Sequence, residues 1–100
     1  MIKELKDSTN FNEEVQKEYI VVDFYATWCG PCSMLSPVLE EIAEEKKIEV
    51  LKVDIDKFPE IASRYGVMVI PTLVVFAKGN SIKSNTGLLS KSELETFLTK

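Results

Sequence analysis

Cys29 and Cys32 are the only cysteines among the 100 residues, and they stand three positions apart. Thiols at i and i+3 on the first turn of a helix share one face, about 5–6 Å apart, a separation that a disulfide can bridge. Such a pair opens and closes without unfolding the chain, which is the requirement for a reusable two-electron dithiol/disulfide couple. Cys29 follows an apolar run from Ile20 to Tyr25 and precedes a helical pattern that starts at Pro31. Its sulfur is therefore expected near a helix N-terminus, where unpaired N–H groups and the helix dipole favour an anion. The thiolate is the nucleophile, so a lowered thiol pKa matters. Pro31 suits the first turn, since its missing N–H would have had no partner there. Cys32, one turn further in, is expected to be the more buried of the two. This predicts unequal roles: Cys29 attacks a substrate disulfide and Cys32 resolves the mixed disulfide. A purely structural bridge is the weaker reading, because a four-residue loop constrains the unfolded chain little.

Four further positions bear on that chemistry. Asp23 interrupts the apolar strand before Cys29. A buried, unpaired carboxylate is costly and answers by raising its pKa. It reads either as a general base for Cys32, through water, or as an Asp on a solvated strand face. Lys52, within Val50-Leu51-Lys52-Val53, is on pattern alone as readily an outward-facing strand residue as not. Trp28 is either a packed aromatic or a flat docking surface beside the nucleophile. Ile70-Pro71 would be trans on base rates, since only about 5–6% of X–Pro bonds are cis.

The bulk composition narrows the function classes. Forty-five per cent apolar and 28% charged residues are ordinary for a globular domain, and the formal net charge is −4. Eleven Lys and one Arg are scattered among acids, which argues against nucleic acid as a partner. Two Cys and no His fall short of the four ligands of a structural zinc site, so no metal is expected. No signal-like core and no run of roughly 18 apolar residues is visible, so a cytoplasmic protein with no membrane association is expected. Thiols in that compartment are kept reduced, and a lone Cys pair there is catalytic more often than structural. The charge run Glu40-Glu41 and Glu44 to Lys47 reads as a solvated helix face.

These residues need a scaffold, and the pattern supplies one. Strands are expected at Ile2–Leu5, Ile20–Tyr25, Val50–Ile55, Thr72–Phe76 and Ser81–Asn85, the last two joined antiparallel through the Lys78-Gly79-Asn80 turn. Helices alternate with them. One is expected after a capping box at Asn10-x-x-Glu13. A long one runs from Pro31 to Lys46, with Pro37 inside and an apolar stripe of Met34, Leu35, Val38, Leu39, Ile42 and Ala43. A short one starts near Pro59 and stops at Gly66; a last one is capped by Ser90-x-x-Glu93 with Leu94, Phe97 and Leu98 on its apolar face. Alternating strands and helices imply an α/β domain with a central sheet covered on both sides.

Asp23-Phe24-Tyr25-Ala26-Thr27-Trp28-Cys29-Gly30-Pro31-Cys32, with Ile70-Pro71-Thr72 far downstream, resembles the thioredoxin family. The likeness spans the whole chain, including Pro37, Tyr65-Gly66, Gly79 and Gly87. It implies one thioredoxin-fold domain over residues 1–100: a mixed sheet of four to five strands, its last hairpin antiparallel, flanked by four helices on both faces. The implied function is protein-disulfide reduction, with Cys29 and Cys32 as the redox-active disulfide and Asp23 as a buried catalytic carboxylate tuned by Lys52. Trp28, Gly30, Pro31, Val69, Ile70, Pro71 and Gly87 would form the substrate groove, with Ile70-Pro71 cis and Thr86 and Gly87 closing its third side. No bound cofactor is implied; a separate thioredoxin reductase, NADPH-linked or ferredoxin-linked, would restore the dithiol. Protein disulfides are the implied substrates, and a monomer is expected. Val69 replaces a small residue common in the family, and Ser33 replaces a common Lys or Arg. Those departures leave open a dedicated electron donor to one client. A redox-independent binding module is the reading from another class.

Overall fold

Strand β2, Ile20–Tyr25, is the centre of the molecule, and nearly all of it is buried. A computed structural model describes residues 1–99. Around β2 a five-stranded sheet forms in the order β1-β3-β2-β4-β5, with β1 at Ile2–Glu4, β3 at Val50–Asp54, β4 at Thr72–Ala77 and β5 at Asn80–Thr86. β1 and β2 pair parallel to β3, whereas β4 runs antiparallel to both β2 and β5. The four helices are α1 (Phe11–Glu14), α2 (Gly30–Lys46), α3 (Pro59–Arg64) and α4 (Lys91–Leu98).

Each face of the sheet carries its own core, because successive strand residues point to opposite sides. Ile20, Val22 and Phe24 join Phe11, Phe58 and Ile61 on the α1/α3 face. Val21 joins Leu35, Leu39, Ile42, Val50, Leu73 and Leu94 on the α2/α4 face. That alternation puts Asp23 and Tyr25 on the α2 side, beneath the helix that carries the cysteines. The same parity puts Glu4 there from β1, two residues after Ile2, and Lys52 from β3, two residues after Val50.

Local chemistry sets the ends of the elements. Lys78 and Gly79 take φ values of 53° and 88°, closing the β4–β5 hairpin as a tight turn with left-handed central residues. Gly66 stops the chain beyond α3 at φ 67°. Ser90 and Glu93 exchange the two hydrogen bonds of a capping box at α4.

Two expectations are corrected. Asn10 makes no side-chain cap; a 3₁₀ turn at Ser8–Asn10, capped by the Asp7 carboxylate, leads into a single-turn α1. The Asp7 carboxylate takes the Thr9 N–H at 2.9 Å, so the side-chain cap sits at the 3₁₀ turn, three residues ahead of the position that the Asn10-x-x-Glu13 spacing suggests. Met34 is 62% exposed rather than part of the α2 stripe. It sits one residue off the Leu35–Leu39–Ile42 line, which alone faces the sheet.

Candidate active site

Chain reversal between β2 and α2 creates the site. Residues 26–29 leave the sheet, Cys29 N donates to the Ala26 carbonyl at 3.2 Å, and Cys29 becomes the N-cap of α2. Cys29 and Cys32 form a disulfide, with their Cα atoms 5.3 Å apart. The Cys32 backbone N–H donates to Cys29 Sγ at 3.2 Å. A sulfur held by a first-turn N–H at the positive end of a 17-residue helix is in a site that stabilises a thiolate. Pro31 occupies the first turn, as its sequence position predicts.

The two sulfurs are less unequal than the sequence suggests. Cys29 is 5% and Cys32 6% exposed. In the oxidised pair each sulfur covers the other, and both pack with Ala26 against Tyr25, Ile55 and Ile70. The difference between them is one of helix position rather than of exposure.

Across the dithiol, the Ile70-Pro71 peptide is cis, the one such bond among the described residues. The Ile70 carbonyl oxygen lies 3.9 Å from Cys29 Sγ. Thr72 Oγ1 donates to the Val69 carbonyl and stands 3.3 Å from Thr86 Oγ1, while the Gly87 N–H donates to the Pro71 carbonyl at 2.8 Å. The end of β5 thereby anchors the loop that faces the sulfurs. Among the described residues, Met68, Val69 and Ile70 donate no backbone hydrogen bond within the chain. Trp28 is 69% exposed, with its indole N–H donating to Asp56 Oδ2 at 2.8 Å. It is a held surface beside the disulfide and not a core aromatic. Met68 and Val69, 93% and 58% exposed, extend an apolar rim on the other side.

Behind the dithiol, Asp23 is 2% exposed, and its Oδ1 atom has no hydrogen-bond partner. Burial pushes its carboxyl up to about 6, opposed by the Lys52 charge and reinforced by that of Glu4. Lys52 stands directly opposite Asp23 in the β2/β3 register, beside it as the family resemblance implies, a choice that its local pattern left open. A cleft of about 230 Å³ lies beside them, lined by Tyr25, Ala26, Cys32, Ser36 and Lys52 among others. Asp23 is not on its wall; Lys52 and Cys32 are. Sequence reasoning missed four residues here: Glu4, Tyr25, Ser36 and Asp56. Each comes from a different segment, and only their pairings in space single them out.

The thioredoxin family model matches residues 2–100. The chain belongs to the thioredoxin family. It is 42% identical over 102 residues to the thioredoxin of Listeria monocytogenes, covering all of this chain and 98% of that protein. It is 45% identical over 94 residues to that of Staphylococcus haemolyticus, covering 92% and 90%. Among solved structures it superposes on oxidised mitochondrial thioredoxin 3 from Saccharomyces cerevisiae with a TM-score of 0.87 at 33% identity, over 97% of this chain and 92% of that one. A mutant thioredoxin from Halobacterium salinarum gives 0.88 at 37% identity, over 97% and 87%. The family relation carries the reaction: thiol–disulfide exchange that reduces protein disulfides through a redox-active cysteine pair, with no cofactor. Partners of that kind are a thioredoxin reductase and proteins bearing disulfides. No described helix is long and apolar enough to cross a membrane.

Proposed function

We propose that residues 1–100 act as a single thioredoxin domain in which Cys29 attacks, Cys32 resolves and Asp23 is the base for Cys32. The observation that carries the assignment is the Cys32 N–H donating to Cys29 Sγ at the N-cap of α2. This donor stabilises negative charge on Cys29 and on no other sulfur.

The cycle follows. An extended substrate segment lies over Trp28 and along Val69-Ile70-Pro71, pairing with backbone groups that the chain leaves free. Gly30, Pro31 and Gly87 complete the groove. Cys29 thiolate attacks one substrate sulfur, the substrate S–S bond breaks, and one substrate thiolate leaves. Cys32 loses its proton towards Asp23, relayed by water. Its thiolate attacks Cys29 Sγ, expels the second substrate thiolate and closes the Cys29–Cys32 disulfide. Two electrons have passed to the substrate, and a thioredoxin reductase returns them. Lys52 favours the ionised form of Asp23 and keeps the base competent near neutrality. The protein acts as a monomer, since one chain completes the groove, and its place is the cytoplasm, where thiols are kept reduced.

The decisive test couples insulin-disulfide reduction to NADPH oxidation with a purified thioredoxin reductase. Wild type turns over, Cys29→Ser does not, and Cys32→Ser accumulates a substrate-linked adduct on Cys29. An adduct that forms on Cys32 instead reverses the assigned roles. The exposed Met68 and Val69 support a narrower reading, a donor to one dedicated client with an apolar contact surface. A client turned over far faster than insulin would favour it. A double Cys29→Ser/Cys32→Ser protein that still performs the cellular role would instead favour a binding module.

A further inference from the structure

The row of side chains beside Asp23 holds a second carboxylate. Glu4 in β1 stands opposite Lys52 in β3, and Lys52 stands opposite Asp23 in β2. All three face α2, so one ammonium group is set between two carboxylates. Yet Lys52 forms no ion pair within 4.0 Å among the described residues. Its Nζ instead lies 4.4 Å from the centroid of the Tyr25 ring and 3.3 Å from Ser36 Oγ. Tyr25 also restrains the second carboxylate, since its hydroxyl donates to Glu4 Oε2. Burial first, and then this bond, push the phenol up, so it remains a donor.

We propose that Glu4 is a positioning residue for Asp23: held by Tyr25, it shares the Lys52 charge with Asp23 and thereby sets how readily the Asp23 carboxyl ionises. Lys52 favours ionisation, and Glu4 opposes it directly and by competing for Lys52. One further carboxylate stands on this face: Asp54, two residues along β3 from Lys52 and opposite Tyr25, is buried and accepts the Asp56 N–H at 2.9 Å, and every variant below leaves it in place. The other neighbours are uncharged: β4 presents Leu73 opposite Asp23, and α2 presents Ser36 and Cys32 to the cleft. Tyr25 therefore has two functions. Its ring seats Lys52, and its hydroxyl keeps the Glu4 carboxylate from turning onto the ammonium group. The consequence for the resolving thiol rests on Asp23 being its base, but the charge sharing itself does not.

The test uses the oxidised protein, in which neither cysteine titrates. The Asp23 carboxyl carbon is followed by NMR against pH in wild type, Glu4→Gln, Tyr25→Phe and the double variant. Two strand spacings of about 4.8 Å put Glu4 and Asp23 roughly 10 Å apart, where a unit charge shifts a midpoint by a few tenths to about one pH unit. Glu4→Gln keeps a hydrogen-bond acceptor and removes the charge, so the Asp23 midpoint should fall by that amount. Tyr25→Phe keeps the ring and frees Glu4 to pair with Lys52, so the midpoint should rise. The double variant should behave as Glu4→Gln. An unchanged or raised midpoint in Glu4→Gln overturns the charge sharing, and one at or below wild type in Tyr25→Phe overturns the tether. Single-turnover release of product from Cys29, profiled against pH in the same variants, separates the underlying reading. If the carboxyl midpoint moves and the rate profile does not, Glu4 tunes Asp23 as proposed and Asp23 is not the base.

Discussion

Asp23 is stabilised in the folded protein by its proton. A carboxyl whose native pKa rises from 3.8 to about 6 binds the proton more tightly folded than unfolded. Its contribution to stability is therefore complete below pH 4 and is lost as pH rises through about 6. At about 1.4 kcal/mol per unit, the ionised carboxylate costs roughly 2–3 kcal/mol at pH 7. Asp23→Asn should make the oxidised protein more stable by about that amount at pH 7, with little gain at pH 4, as urea unfolding at the two pH values will show. An equal effect at both would mean that the change acts through packing and not through charge. The same substitution should slow the resolving step at pH 7 and remove its fall below pH 6. The base role proposed for Asp23 thus opposes its fit to the fold, which is the pattern of a residue kept for chemistry. Asp23 was singled out in the sequence as a break in an apolar strand. Glu4 and Tyr25 were not, because nothing within three residues of either shows that they meet.

The elements bring the reactive groups to one place through their ends. Cys29 is positioned by the start of α2, Pro71 by the start of β4, and Gly87 by the end of β5. Helix α4 contributes nothing to the dithiol directly; it covers the far end of the α2 face through Leu94 and Leu98. Its Ser90–Glu93 capping box is the best-formed cap in the chain. Ser90→Ala should cost about 1 kcal/mol in thermal or denaturant unfolding and leave disulfide-reduction kinetics unchanged. Slower turnover in that variant would mean that α4 transmits strain to α2. That capping box was legible in four residues of sequence. At the start of α1 the same kind of spacing pointed to Asn10, whereas the side-chain cap is made by Asp7 to Thr9 at the preceding 3₁₀ turn, which the spacing does not announce.

At the scale of the molecule, one sheet carries two cores, and both must form for the dithiol to be held. Leu51 lies in the α1/α3 core and Leu39 in the α2/α4 core, each essentially inaccessible to solvent. Leu51→Ala and Leu39→Ala should each cost about 2–5 kcal/mol, with unfolding still a single transition by circular dichroism and by fluorescence. Separate transitions would show that the two faces fold independently. The site lies beyond the end of the central strand β2, where the chain turns into α2. Tyr25 and Ile70 pack on the cysteines from one side, and Lys52 and Ser36 close the cleft behind them.

The sequence by itself determined the reaction and the scaffold. A Cys-x-x-Cys pair between an apolar strand and an amphipathic helix is a local pattern, and so are the strand and helix periods, the turn glycines and the Ser90 cap. Local patterns are legible because the physics behind them acts over a few residues. Tertiary structure alone decided which charges surround Asp23. Glu4, Asp23 and Lys52 lie far apart in the chain and meet only because β1, β3 and β2 pair in one register. A shift of one residue in that register would send Lys52 to the opposite face. It also decided that Cys29 is covered in the oxidised state, since burial depends on Ile70 and Ile55 arriving from other strands and loops.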